Sequence, residues 1–189
     1  MKRRFAEALS EVKRALDLDP LSLHMNAALV MACYFARHYE EGIEHGRKTV
    51  ETDANFYLGH HYLGLAYAGH GQYSEAVEAM QKAVVLSSNS TLTLAALGAV
   101  FAFWGKAEEA RKILTELELL SRRKYVSQTS VAAIYAGLGE NDRALTCLEQ
   151  GCADRCNWLP HFVATDARFD RLRGEARFQD LARRIGIAS

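Results

Sequence analysis

The stretch YLGHHYLGLAYAGHGQYSEAVEAMQKAVVLSS, residues 57–88, decides the fold. Its apolar residues recur three and four positions apart, as in Leu63 and Tyr67 and again in Ala76 and Met80, which is the spacing of one face of an α-helix. A glycine and a short polar segment separate the two helical patterns. Because glycine readily adopts the left-handed conformation that ends a helix, a second helix can start there and run antiparallel to the first. The stretch therefore predicts a helical hairpin.

The same pattern returns in steps of 34 residues on both sides of this hairpin. Five columns of similar residues keep the step: Ala8, Gly42, Ala76, Ala110 and Ala144; Leu29, Leu63, Leu97 and Val131; Val30, Gly64, Gly98 and Ala132; Cys33, Tyr67, Phe101 and Tyr135; Arg37, Gly71, Gly105 and Gly139. A repeat of this length is typical of stacked supersecondary units, each of which cannot bury its apolar face alone. The chain is therefore predicted to be an all-α array of hairpins.

These columns resemble the tetratricopeptide repeat, in which Leu and Gly lie in the middle of the first helix and an aromatic residue follows three positions later. The unit 57–88 matches with Leu63, Gly64 and Tyr67, followed by Ala76 in the second helix. The chain departs from the family at its Trp position, which is filled by Asn26, His60, Leu94 and Gln128. The resemblance implies a right-handed superhelical solenoid of antiparallel helix pairs that binds other proteins.

The repeat register divides the chain into an array, residues 1–157, and a C-terminal helical cap, residues 158–189. Within the array we expect a half repeat and four full repeats, over residues 1–20, 21–54, 55–88, 89–122 and 123–156. The cap resembles a segment that closes many bacterial tetratricopeptide arrays. Asp166 is expected to cap a short turn that carries Phe169 and Leu172, and a last helix is expected to start near Glu175.

Composition argues against several classes of partner. The 189 residues hold 23 basic and 23 acidic side chains, so no net charge attracts nucleic acid or an anionic membrane surface. No stretch approaches the roughly 20 apolar residues that span a bilayer, and the N-terminus does not resemble a signal peptide. We therefore expect a cytoplasmic protein with neither a nucleic-acid nor a membrane partner.

The sequence offers little for catalysis or metal binding. Cys152, Cys156 and His161 could supply three zinc ligands, but a closed zinc site needs four and no fourth is apparent nearby. None of the seven histidines has another histidine four residues away, and the chain contains neither a phosphate-binding loop nor a nucleophile elbow. We therefore predict a non-enzymatic protein without catalytic residues, metal or cofactor.

In the family, the first helix of each repeat lines the concave side of the array, where peptides bind. Projection of the register onto these helices gives a predicted peptide-binding groove formed by His24, Ala27, Met31, Tyr34, Phe35, Leu58, His61, Tyr62, Leu65, Leu92, Phe103 and Thr129. The set lacks the Lys, Arg and Asn side chains that would hold a partner's C-terminal carboxylate. It favours an amphipathic helix or an extended apolar segment, so the predicted function is a protein-interaction scaffold.

The N-terminal half repeat leaves an apolar face without a partner helix, through Phe5, Leu9, Val12 and Leu16. We expect it to be covered either by an upstream part of a longer array or by a second copy, in a homodimer through helix 4–18. In the first case the chain would be the C-terminal, regulatory part of a larger signalling or transcription-regulating protein, as in the bacterial regulatory proteins that its tail resembles.

Overall fold

The computed structural model describes residues 2–156 and 159–187, and their side chains except those of residues 2–6 and 8. Within these ranges the regular elements are helices, with no strand, so the predicted all-α fold of helix pairs is confirmed. The chain forms two compact units, Met1–Thr93 and Leu94–Ser189.

The first unit contains five helices in its described part: α1 (Lys2–Leu18), α2 (Leu23–Ala36), α3 (Tyr39–Thr52), α4 (Tyr57–His70) and α5 (Tyr73–Leu86). Two-residue turns join α2 to α3 and α4 to α5, so each pair folds back on itself as a hairpin. Helix α2 packs on α1, α3 and α4, and α4 packs on α3 and α5. The first helices of successive hairpins are therefore neighbours.

The second unit contains most of α6 (Thr91–Phe103), then α7 (Ala107–Ser121), α8 (Gln128–Gly137), α9 (Asn141–Ala153), α10 (Leu159–Thr165), a 3₁₀ helix (Ala167–Leu172) and α11 (Ala176–Arg184). Helices α8 and α9 form a hairpin. The 3₁₀ helix packs on α8, while α10 and α11 pack on α9. The segment after residue 158 thus covers the last hairpin within this unit.

The four residues that follow the first helices, each 34 positions after the one before, share one backbone conformation. Arg37, Gly71, Gly105 and Gly139 have φ angles of 65°, 87°, 82° and 75°, all left-handed. At Gly71 the backbone N–H bonds back to the carbonyl of Ala68, which helps to satisfy the free carbonyl groups at the end of α4. Glycine adopts this conformation without steric cost, whereas Arg37 carries a Cβ in it. The column therefore marks the ends of hairpin first helices.

Small residues allow the two helices of the central hairpin to approach closely. A Cβ added to Gly64 of α4 would lie 3.2 Å from the carbonyl oxygen of Ala76 and 2.8 Å from Cγ of Met80, both on α5. Ala76 and Met80 have no exposed surface. The two helices therefore cross closely at Gly64, where there is no room for a larger side chain.

The 3₁₀ helix after α10 begins at a buried carboxylate. Oδ1 of Asp166 accepts a hydrogen bond of 3.0 Å from the backbone N–H of Arg168, which caps the 3₁₀ helix as expected. The Arg168 guanidinium also donates to Oδ2 of Asp166 at 2.6 Å, so the fully buried carboxylate is paired. Phe169 and Leu172 are fully buried beneath this turn. At the surface, Arg177 of α11 forms a 2.8 Å ion pair with Glu149 of α9.

Candidate functional site

The first helices of the hairpins carry no charged side chain. Helix α2 reads LHMNAALVMACYFA and α4 reads YLGHHYLGLAYAGH, and neither contains Asp, Glu, Lys or Arg. The same holds for α6 and α8. The second helices, α3 and α5, carry the charges of these hairpins. Because a surface helix normally has one polar face, helices that are apolar all round indicate burial on more than one side.

In the first unit, α2 and α4 leave part of this apolar surface accessible. Met31 of α2 and both Leu58 and Tyr62 of α4 are partly exposed. His24 is exposed at the start of α2, and its ring contacts that of Phe56 edge to face, with 5.2 Å between the ring centroids. The accessible side chains of α2 and α4 are thus thioether, aliphatic and aromatic groups with one imidazole.

Tyr62 is the largest of these partly exposed side chains. Its ring contacts His61 edge to face, with 5.0 Å between centroids and 73° between planes. Burial raises the pKa of the Tyr62 hydroxyl above its ordinary value, and the neighbouring Tyr57 adds to the rise. The phenol is therefore neutral at physiological pH. It offers an apolar ring face together with a hydroxyl that can donate or accept a hydrogen bond.

Other residues of the predicted groove lie inside the protein. Those that are less than a tenth exposed are Ala27, Tyr34, Phe35, His61, Leu65 and Thr129. Tyr34 and Phe35 contact each other edge to face, 5.1 Å apart, within the first unit. Each of these side chains is packed inside its own unit, so a partner could touch it only marginally in this conformation.

Three of the predicted groove residues, Leu92, Phe103 and Thr129, lie further along the chain. Leu92, in the first turn of α6, is 43% exposed, and Phe103 at the end of α6 is partly exposed. Thr129 is enclosed in the α8–α9 hairpin, because a Cβ added to Gly151 would lie 2.8 Å from its Oγ1. A binding role of the twelve residues as one set stays a prediction.

Two residues at the family's Trp position have a local role that the sequence did not reveal. Nδ2 of Asn26 donates to the carbonyl oxygen of Pro20 at 3.0 Å, six residues earlier. One repeat later, Nε2 of His60 lies 2.9 Å from the carbonyl oxygen of Ala54, again six residues earlier, and must donate to it. Both side chains thus hold the loop that precedes a first helix. The sequence signal for this role was that Asn26 and His60, both able to donate a hydrogen bond, occupy the same position of two successive repeats.

The described residues provide no metal centre. Within residues 2–156 and 159–187, no three His, Cys, Asp or Glu side chains are grouped so as to hold a metal ion. The four cysteines are free thiols. Cys33 is fully buried, and burial raises its thiol pKa to about 11, with the nearby Glu41 carboxylate adding to the rise. No described helix is both long enough and apolar enough to span a bilayer.

The N-terminal helix is only partly covered in the structure. Leu9, Val12 and Leu16 of α1, which packs on α2, are half-buried, and the side chain of Phe5 lies outside the described residues. Lys13 ties α1 to the start of α3 through a 2.8 Å ion pair with Glu41. The homodimer through helix 4–18 stays a prediction.

These hairpins define a helical-repeat protein. The tetratricopeptide repeat family matches at residues 57–90, so the chain contains a tetratricopeptide repeat, and its fold is that of tetratricopeptide-repeat proteins. TTC0263, a thermophilic tetratricopeptide-repeat protein of Thermus thermophilus, is similar over 82% of this chain and 87% of its own, with 20% identity and a TM-score of 0.66. Comparison with curated protein sequences gave no match.

Two further solved structures share the fold. MamA is similar over 80% of this chain and 88% of its own, with 21% identity and a TM-score of 0.52. YrrB, a tetratricopeptide-repeat protein with an unusual peptide-binding site, is similar over 91% of this chain and 89% of its own, with 14% identity and a TM-score of 0.51. Identities this low support the shared fold alone. Proteins built from this repeat are generally scaffolds for protein interactions.

Proposed function

We propose that the chain is a non-enzymatic protein-interaction scaffold and that the wall formed by α2 and α4 binds an apolar segment of a partner protein. The observation that carries this proposal is the absence of Asp, Glu, Lys and Arg from both helices, combined with partial exposure of Met31, Leu58 and Tyr62. Binding to an uncharged wall is favourable because apolar surface leaves water. No charged group of the wall has to be desolvated when the partner binds.

The chemistry of the wall also indicates which ligands it would reject. A C-terminal carboxylate needs charged or amide donors, and Asn26, the one amide on α2 or α4, already donates to the carbonyl groups of Pro20 and Ser22. A carboxylate in this wall would therefore lose its hydration without gaining a partner. The expected ligand is an amphipathic helix or an extended segment whose contacting side chains are apolar or aromatic.

The test is a selection from a random peptide library, followed by affinity measurement on variants of the full chain. We expect selected peptides to be rich in Leu, Ile, Phe and Trp, without a fixed C-terminal carboxylate. The double variant Met31→Gln/Tyr62→Gln should weaken binding by about tenfold or more, since large contacting side chains carry most of an interface's free energy. The control is Val85→Gln, which changes an apolar side chain that is 75% exposed on α5.

Far-UV circular dichroism of each variant separates loss of binding from loss of fold. Equal binding by the wild type and by the Met31/Tyr62 variant, with helicity unchanged, would move the site away from α2 and α4. The alternative, that the chain is the C-terminal regulatory part of a larger signalling or transcription-regulating protein, is a separate prediction. Reading the DNA upstream of the codon for Met1 tests it.

A further inference from the structure

One helix starts late in an otherwise regular series. Leu23, Tyr57 and Thr91 are the first residues of α2, α4 and α6, and they are 34 residues apart. The next step falls on Tyr125, but α8 begins at Gln128. The residues that would form its first positions are instead part of a longer loop after α7.

This loop exposes three consecutive cations between two exposed hydrophobic side chains. Arg122, Arg123 and Lys124 are exposed, and none of them forms an ion pair with a described residue. Leu119, in the last turn of α7, is 56% exposed, and Tyr125 is 67% exposed. We call these five residues the basic loop surface, and all of them belong to the second compact unit.

The corresponding loops of the other hairpins have a different composition. They read DPLS at residues 19–22, DANF at 53–56 and SSNS at 87–90, without Lys or Arg. The C-terminal dipole of α7 favours a cation near its last turn. It does not require three in succession, nor an exposed aromatic ring beside them, so helix capping alone does not explain the segment.

We propose that the basic loop surface binds a short acidic segment of a protein partner, one that carries an apolar or aromatic residue next to its carboxylates. Arginine guanidinium groups pair with carboxylates through two parallel hydrogen bonds, and Lys124 adds a third positive charge. Leu119 and Tyr125 supply apolar contact area on either side of the cations, and a tyrosine ring is favourable at a partly wet interface.

The surrounding charges favour a peptide over a longer polyanion. Glu116 and Glu118 are exposed on the last two turns of α7, close in sequence to the cations. An extended nucleic acid presents a line of phosphates and gains affinity from many contacts, so flanking carboxylates repel it. A segment with two or three carboxylates needs only the cations of the loop. The proposal does not rest on the α2–α4 wall, because it concerns other residues and another ligand.

The experiment titrates the full chain into a fluorescein-labelled peptide with three glutamates and an amidated C-terminus, SEEFELS, and follows fluorescence anisotropy. The test variant is Arg123→Gln/Lys124→Gln, and the matched control is Lys82→Gln/Lys112→Gln, which also removes two exposed positive charges. We expect the test pair to weaken binding by about tenfold and the control pair by less than about twofold. Raising the salt concentration from roughly 50 to 300 mM should also weaken binding of the peptide to the wild type, because salt screens the charges.

Three further readouts decide the proposal. Tyr125→Ser should weaken peptide binding at unchanged charge, and the α2–α4 wall variant Met31→Gln/Tyr62→Gln should bind the peptide as the wild type does. Equal weakening by the two charge-removing pairs would overturn the proposal, because it would show unspecific attraction to positive charge. Tighter binding of a single-stranded oligothymidine than of the peptide would overturn the choice of ligand.

Discussion

Replacing Ala76 by Leu tests the packing that sets the geometry of the central hairpin. Ala76 has no exposed surface, and its carbonyl oxygen would lie only 3.2 Å from a Cβ at Gly64. Leucine adds three carbon atoms at this crossing, where Met80 is also fully buried. Because Ala and Leu have similar helix propensities, the change reports packing rather than local preference.

The expected cost follows from the lack of space. Overpacking a well-packed core costs about 1 to 3 kcal/mol, and we expect about 2 to 3 kcal/mol here because both Ala76 and its neighbour Met80 are fully buried. For a protein of this size that corresponds to a fall in Tm of roughly 5 to 10 °C. Met80 is flexible and will absorb part of the strain, which keeps the cost below that of a backbone rearrangement.

The assay is urea unfolding followed by far-UV circular dichroism, which reports the helices of both units. Gln81→Leu, at an exposed position of the same helix, serves as the control and should change the free energy of unfolding by less than about 0.5 kcal/mol. Both tryptophans, Trp104 and Trp158, lie after residue 93. Tryptophan fluorescence therefore follows the second unit, and its transition should shift less than that of the dichroism signal if the units unfold separately.

A double variant locates the strain. Met80→Ala alone should destabilise by about 2 to 5 kcal/mol through the cavity that it leaves. Combined with Ala76→Leu, it should cost at least about 1 kcal/mol less than the sum of the two, because the leucine can occupy the vacated volume. Additive effects, or an Ala76→Leu variant as stable as the wild type, would refute the assigned crossing.

Three further predictions concern the first unit. Arg37→Gly should raise the free energy of unfolding, measured in urea, by roughly 0.5 to 1 kcal/mol, since it removes a Cβ from a left-handed residue. Gly71→Arg should lower the free energy of unfolding by a similar amount. Changes of the opposite sign would contradict the turn assignment. Cys33, with a thiol pKa of about 11, should resist iodoacetamide near pH 8 in the native protein and react after unfolding, as read by peptide mass spectrometry. The hydrogen bond from Lys13 lowers the pKa of Glu41, so its stabilisation is present above the unfolded-state pKa and is lost as the pH falls through the folded-state value. Because the Lys13–Glu41 pair is partly exposed, Glu41→Gln should lower the free energy of unfolding by at most about 1 kcal/mol at neutral pH and by little near pH 3, as measured in thermal melts. An equal loss of stability at both pH values would contradict the ion pair.

Much of the fold was predictable because it depends on spacing along the chain. The 34-residue step predicted a left-handed residue at Gly71 and its counterparts, since each hairpin needs the same reversal. The small residues Gly64 and Ala76 also keep the step, and they lie where the two antiparallel helices of the central hairpin approach closely. The capping role of Asp166 could be predicted as well, because an aspartate at the start of a short helical turn accepts a hydrogen bond from a backbone N–H of that turn.

The candidate site was less predictable. The register assigned both Tyr34 and Tyr62 to the groove, but Tyr34 is 4% exposed and Tyr62 remains partly accessible. Position on a helix defines the direction of a side chain and says nothing about how closely a neighbouring helix covers it. The sequence likewise assigned Asn26 and His60 to the family's Trp position without showing their hydrogen bonds to loop carbonyl groups.

The sequence by itself determined the repeat, the hairpin and the uncharged character of the first helices, because these follow from residue type and interval. Only the tertiary structure decided which apolar side chains are covered and which remain exposed. It also showed that α8 begins at Gln128, three residues after the repeat step, which leaves Tyr125 in the exposed loop beside Arg122, Arg123 and Lys124. The physical reason is that burial and helix starts depend on contacts between segments distant in sequence, whereas periodicity records only the local geometry of the helix.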